Sequence, residues 1–127
     1  MLDHVGLEVS DFARSKAFYE SALSPLGIRL LMEFEGGVCF GKETEHGPKP
    51  FLWIGERGRA PVSGAHVAFG VRSAEEVDAF HTAAVTAGGT DNGAPGPRPI
   101  YHPGYYGAFV LDPDGNNVEA VCHTAPG

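Results

Sequence analysis

The chain has 127 residues, of which 43% are hydrophobic and 20% charged, and carries a formal net charge of −7. That length holds one domain, or two small half-domains on a shared core, and the composition argues against extended disorder. Lysines and arginines are few and scattered, so neither a run of nucleic-acid phosphates nor an anionic membrane surface is an expected partner. The start of the chain has neither the basic opening nor the apolar run of a secretory leader, and no later stretch approaches the roughly 18 apolar residues of a membrane span. The cytoplasm is the expected compartment.

His4 to Val9 alternates as a strand, with Val5, Leu7 and Val9 on one face and His4, Gly6 and Glu8 on the other. Ser10 or Asp11 then caps a helix whose apolar stripe runs through Phe12, Ser15, Phe18, Tyr19, Ala22 and Leu23, until Pro25 and Gly27 end it. Ile28 to Phe34 and Val38 to Phe40 read as a hairpin around Gly36-Gly37, Lys42 to Lys49 as a polar loop, and Phe51 to Ile54 as a further strand. Glu56 to Gly64 has the glycine, proline and charge of a connector. His66 to Val71 is again a strand. Ser73 and Glu76 form a capping box for a helix that buries Val77, Phe80, Ala84 and Val85 and stops at Gly88-Gly89. Gly93 to Gly104 reads as a long shaped loop with at most one short strand. Tyr106 to Leu111 and Asn117 to Cys122 are strands around the tight turn Asp112-Pro113-Asp114-Gly115. That turn lacks the glycine placement and closing acid of a calcium loop. Cys39 and Cys122, far apart in apolar runs, are expected to be buried free thiols.

The chain therefore repeats one pattern. His4-Val5-Gly6-Leu7-Glu8-Val9 returns about half a chain later as His66-Val67-Ala68-Phe69-Gly70-Val71, and the same shift carries Phe18 onto Phe80 and Gly27 onto Gly89. The order is βαβββ, twice: an α+β fold of two tandem modules, about 1–56 and 64–124, with a linker at about 57–63. The two histidines occupy equivalent places beside small residues (Gly6; Ala68 and Gly70), which leaves room for a ligand.

These segments, with Phe18-Tyr19, Gly64-Ala65-His66 and Asp112-Pro113-Asp114-Gly115-Asn116-Asn117-Val118-Glu119, resemble the vicinal oxygen chelate superfamily of glyoxalases, extradiol dioxygenases, and fosfomycin- and bleomycin-resistance proteins. The resemblance covers nearly the whole chain. It implies a cupped mixed sheet with helices on its outer face, and a homodimer. It also implies one divalent ion per site (Fe, Mn, Ni, Co or Zn) held by His4, His66 and Glu119. The fourth ligand position of the family falls at about Trp53, which cannot bind a metal. Two imidazoles and a carboxylate leave coordination positions open for a substrate with adjacent oxygens.

Around that centre, Phe51, Trp53 and Phe109 are expected to wall an apolar pocket. Arg98, Tyr101, His102, Tyr105 and Tyr106 crowd the proline-rich loop as a substrate lid, with His102 and Tyr106 as acid–base candidates beside Glu119. Glu8 and His123 share strand faces with the ligands. The reading that follows is a metal-dependent enzyme on a small molecule, a glyoxalase-like lyase or isomerase in the broad sense. Three alternatives stand beside it. An extradiol dioxygenase would need a tyrosine where this chain has Phe109. A fosfomycin-resistance-like thiol transferase would need a basic cluster, whereas Arg57, Arg59 and Arg98 look scattered. A metal-free sequestering protein of the bleomycin-resistance kind would not need both histidines and Glu119.

Overall fold

The computed structural model describes residues 1–126. The first module runs β1 (Val5–Glu8), α1 (Phe12–Leu23), β2 (Arg29–Phe34), β3 (Gly37–Thr44) and β4 (Gly47–Gly55). The second runs β5 (His66–Gly70), α2 (Ala74–Thr86), β6 (Thr90–Pro97), β7 (Tyr106–Leu111) and β8 (Asn117–Cys122). Each module closes its own four-stranded mixed sheet, in the orders β1-β4-β3-β2 and β5-β8-β7-β6. β1 lies parallel to β4, and β5 parallel to β8; the other pairs are antiparallel. The expected α+β duplication is the observed architecture.

Local chemistry sets the helix starts. The Asp11 carboxylate accepts from the Arg14 amide at 3.2 Å, and the Ser73 hydroxyl accepts from the Glu76 amide at 3.2 Å. Glu76 in turn accepts from the Arg72 amide. The apolar stripes then meet: Phe18, Tyr19 and Leu23 of α1 and Val77, Phe80 and Ala84 of α2 are buried in one core with Leu7, Val9, Leu52 and Ile54 of the first sheet and Val110, Val118 and Ala120 of the second. Burying a phenylalanine such as Phe18 or Phe80 contributes about 2–3 kcal/mol. Gly89 follows α2 where the modules touch. A Cβ there would stand 2.7 Å from the Phe18 ring and 2.5 Å from Val110, so the close approach requires glycine.

A buried polar node ties the modules. Asp112, in the turn between β7 and β8, accepts from the Tyr19 hydroxyl of α1 at 2.5 Å and from the Asn116 backbone amide at 2.9 Å. The Asn116 side-chain amide donates to Asp112 and to the Val62 carbonyl, and its oxygen accepts from the Ala65 amide. Asp114 takes the Ser10 hydroxyl, which is why Asp11 rather than Ser10 caps α1. Burial, reinforced by the Asp112 carboxylate, pushes the Tyr19 phenol well above its ordinary pKa, so it stays a donor.

Two segments differ from the sequence expectation. Lys42 to Lys49 is not a loop: β3 and β4 pair through Lys42↔Lys49 and on to Thr44↔Gly47. This hairpin tip has no buried face beyond Gly41, so hydropathy gives no alternation to read. Residues 90–97 form the edge strand β6, whose register breaks twice around Gly93. An edge strand tolerates prolines because one side of its ladder is open. Cys39 and Cys122 are buried free thiols, as expected.

Replacing Tyr19 by Phe removes one donor from a buried carboxylate without creating a cavity. The expected cost is about 1–3 kcal/mol of unfolding free energy, read as a lowered urea midpoint at unchanged m-value. An unchanged midpoint would show that the node does not hold the modules.

Candidate functional site

Strand alternation sorts the second sheet. Val118 and Ala120 of β8 turn into the core, so Glu119 points to the opposite, open face. There Glu119 Oε1 lies 3.0 Å from His66 Nε2, although the Glu119 side chain is only 2% exposed and that of His66 50%. Phe109 faces Glu119 across the β7–β8 ladder, and its ring stacks at 6.2 Å on the His66 imidazole. Arg98 folds back over the other side of this group: its guanidinium carbon is 5.5 Å from the Phe109 centroid, and its nitrogens donate to the Gly96 and Ala94 carbonyls. A cation stacked this way braces an aromatic wall.

Tyr105 donates its hydroxyl to the second Glu119 oxygen. Burial first, then the Glu119 carboxylate, push the Tyr105 phenol up to about 12. Around it gather Tyr101, His102 and His123. The His102 and His123 rings stack at 5.2 Å, with His102 Nε2 2.9 Å from His123 Nδ1. His102 Nδ1 faces the Pro103 carbonyl at 2.6 Å, so that nitrogen carries a proton there.

Tyr106 is not part of this group. It shares a strand face with Ala108 and Val110, toward α2, and donates to Asp78 at 2.8 Å. That bond raises its pKa. The sequence pointed to Tyr106 as one of the hydrogen-bonding side chains crowding the proline-rich loop; its place at the start of β7 turns it toward Asp78. The hydroxyl beside Glu119 belongs to Tyr105.

On the first sheet, Gly6 and Glu8 pair with Trp53 and Gly55, so all four occupy the open face. With His4 they line a pocket of about 580 Å³, closed at one end by Arg57 and Arg59 of the linker. The Trp53 indole stacks on Phe34 at 5.7 Å. Phe51 does not join this wall. A bulge opposite Phe40 and Gly41 turns it inward, where its ring packs 6.2 Å from Phe69 of the other module. The His4 Nδ1 is 2.7 Å from Asp3, whose other oxygen accepts from Lys49. Lys49, then His4, hold the Asp3 carboxyl below its ordinary pKa. With Nδ1–H donated to Asp3, the His4 Nε2 lone pair is free for a ligand.

His66 and Glu119 are thus brought together, and His4 stands on the other module's sheet. Among the described residues no three His, Cys, Asp or Glu side chains gather as a metal site within one chain. Both open faces turn away from the shared core, because the opposite face of each sheet is the one that packs on the helices.

The sequence model of the Glyoxalase/Bleomycin resistance protein/Dioxygenase superfamily matches residues 1–120. The chain belongs to this superfamily. Among solved structures, it is similar to a glyoxalase/bleomycin resistance protein from Albidiferax ferrireducens T118, at 30% identity and a TM-score of 0.77, over 94% of this chain and 96% of that one. A glyoxalase I variant from Zea mays is 28% identical with a TM-score of 0.66, over 94% of this chain and 46% of the longer plant chain. Lactoylglutathione lyase from Agrobacterium tumefaciens, at 20% identity and a TM-score of 0.66, over 96% and 92% of the two chains, shares the fold. The comparison with curated proteins finds no match.

Superfamily members typically bind a metal ion, and the donors present here fit one. An imidazole nitrogen and a carboxylate oxygen are common ligands of divalent ions. His66 Nε2 and Glu119 Oε1 lie 3.0 Å apart on one open face. The Asn117 side-chain oxygen, two positions from Glu119 along β8, is buried without a hydrogen-bond partner.

Tyr105 gives a direct readout of this environment. Its phenol should titrate near 12 by ultraviolet absorbance against Tyr105→Phe, and Glu119→Gln should bring it down toward the ordinary value near 10. The folded pKa lies above the unfolded one, so the stability this group contributes is whole below about pH 10 and lost as pH rises from about 10 to 12. A phenol titrating at its ordinary value in the folded wild type would contradict the Tyr105–Glu119 contact.

Proposed function

We propose that the chain is a metal-dependent, glyoxalase-like lyase or isomerase acting on a small molecule. In this reading the site is built between two copies: His4 and Trp53 from one protomer, His66, Glu119 and Phe109 from the other. The observation that carries it is the His66–Glu119 pair on an open sheet face, with the third donor on the matching face of the other module. Superfamily members often act on small molecules and form dimers. The open face of the first sheet also leaves Met32 and Phe34 exposed at 36% and 48%, apolar area that a second copy would cover.

Each group has a role in this arrangement. His4, His66 and Glu119 hold the ion, which supplies Lewis-acid stabilisation of an anion formed on adjacent substrate oxygens. Tyr105 fixes one Glu119 oxygen through its hydroxyl, so the other stays aimed at the open face. That phenol keeps its proton through the neutral range and remains a donor. Phe109 and Trp53 keep the substrate side apolar. A tyrosine at position 109, as in an extradiol enzyme, would stand directly across the ladder from Glu119; phenylalanine there donates nothing. The hydroxyl at Glu119 instead arrives from Tyr105.

Protein purified without chelator should bind about one divalent ion per chain, and His66→Ala should abolish this. The shared site is tested by mixing. His4→Ala and Glu119→Ala should each be empty alone, while unfolding and refolding them together should restore metal to about a quarter of the sites, since each mixed dimer rebuilds one intact site. Failure of the wild type to take up Fe(II), Mn(II), Co(II), Ni(II) or Zn(II) would favour a metal-free sequestering protein. Full binding by the wild type without restoration in the mixture would place all the ligands within one chain.

A further inference from the structure

The first-sheet pocket holds a guanidinium, that of Arg57, which forms no ion pair among the described residues. The Arg57 backbone amide donates to Glu8 Oε1 at 3.1 Å, and the Arg59 side chain pairs with the same oxygen at 3.6 Å. Both contacts fall on Oε1, while Oε2 of this largely buried carboxylate stands, like Arg57 Nε, beside the position a Gly55 Cβ would take, at 3.3 and 3.4 Å. The Arg57 guanidinium has no carboxylate within ion-pair distance and no hydrogen-bond acceptor among the described residues. It lies close against two glycines of the sheet. A Cβ on Gly37 would stand 2.7 Å from Nη2, and one on Gly55 would stand 3.4 Å from Nε. Both glycines belong to strands, Gly37 pairs directly with Gly55, and neither has a left-handed φ, so the turn geometry does not call for glycine at these positions. What the missing Cβ atoms provide is a bed for this side chain, beside the Trp53 indole.

We propose that Arg57 is the anion-recognising residue of this pocket, and that the ligand is a planar apolar molecule bearing a carboxylate. The Trp53 indole, one face of which stacks on Phe34, offers its other face as a stacking surface, and Gly6 leaves space beside it, since the nearest neighbour to a Cβ there would be Trp53 Cβ at 3.8 Å. Arg57 at the pocket end presents paired donors that match the two oxygens of a carboxylate. The unpaired cation explains how a chain of net charge −7 would still retain an anion. The proposal rests on the reading of this pocket as half of the site, and supplies its substrate class.

The test uses the chain's one tryptophan. The Trp53 indole N–H gives a single NMR signal, followed here in the His66→Ala protein with EDTA present, so that metal plays no part. Benzoate should shift that signal saturably, and benzamide should bind at least about ten-fold more weakly, the value of one charge-assisted interaction. Arg57→Gln should lower benzoate to the level of benzamide. Gly37→Ala, which intrudes on the guanidinium's bed, should weaken benzoate while leaving benzamide unchanged. Equal binding of the two probes, an unaffected Arg57→Gln protein, or no shift with either probe would overturn the proposal. A failed metal titration would not alter this result, and a failed benzoate titration would leave the metal centre standing.

Discussion

The Asp112 node decides what the rest of the molecule can present. One buried carboxylate receives the Tyr19 hydroxyl of the first module and the Asn116 amide of the second, while Asn116 also grips the linker at Val62 and Ala65. Leaving any of these groups unpaired in the core would cost more than the net value of a single hydrogen bond, so the three segments are held as a unit. With the helices packed on one another at Gly89 and Phe18, the shared core uses one face of each sheet. The other two faces are left open, and every donor of the candidate site lies on one of them.

That division explains the unequal halves of the site. On the second sheet, Glu119 is almost fully covered, with His66 on one oxygen and Tyr105 on the other. A carboxylate so enclosed is pre-positioned, because its rotamer is set by partners on a neighbouring strand and a loop. On the first sheet, His4 is exposed and held by Asp3, and the neighbouring space is shaped by Trp53 and Arg57.

Arg57 and Arg59 show how the fold brings linker residues to a pocket. In the sequence they look like solvent-facing charges in a glycine-rich connector. In the fold the connector runs back past the end of β1, where the Val62 amide donates to the Glu8 carbonyl, and this places both side chains at the mouth of the pocket. Glu8 forms an ion pair with the Arg59 side chain and accepts from the Arg57 backbone amide.

The sequence by itself determined the duplication, the α+β class and the sidedness of most strands, because apolar alternation and helix caps are local signals and both modules carry them. It also placed Glu119 and His66 on open faces, since each alternates with core residues. Tertiary structure decided the rest. Tyr105 and Tyr106 are neighbours in sequence, and only the exit of the chain into β7 sends one hydroxyl to Glu119 and the other to Asp78. Phe51 obeys alternation in the sequence, yet a bulge turns it into the module junction. Asp112 and Asn116 read as an ordinary turn, and their partners Tyr19, Val62 and Ala65 are far away along the chain. Residues that meet across modules leave no periodic trace, because the contact depends on how two units pack and not on the spacing within either.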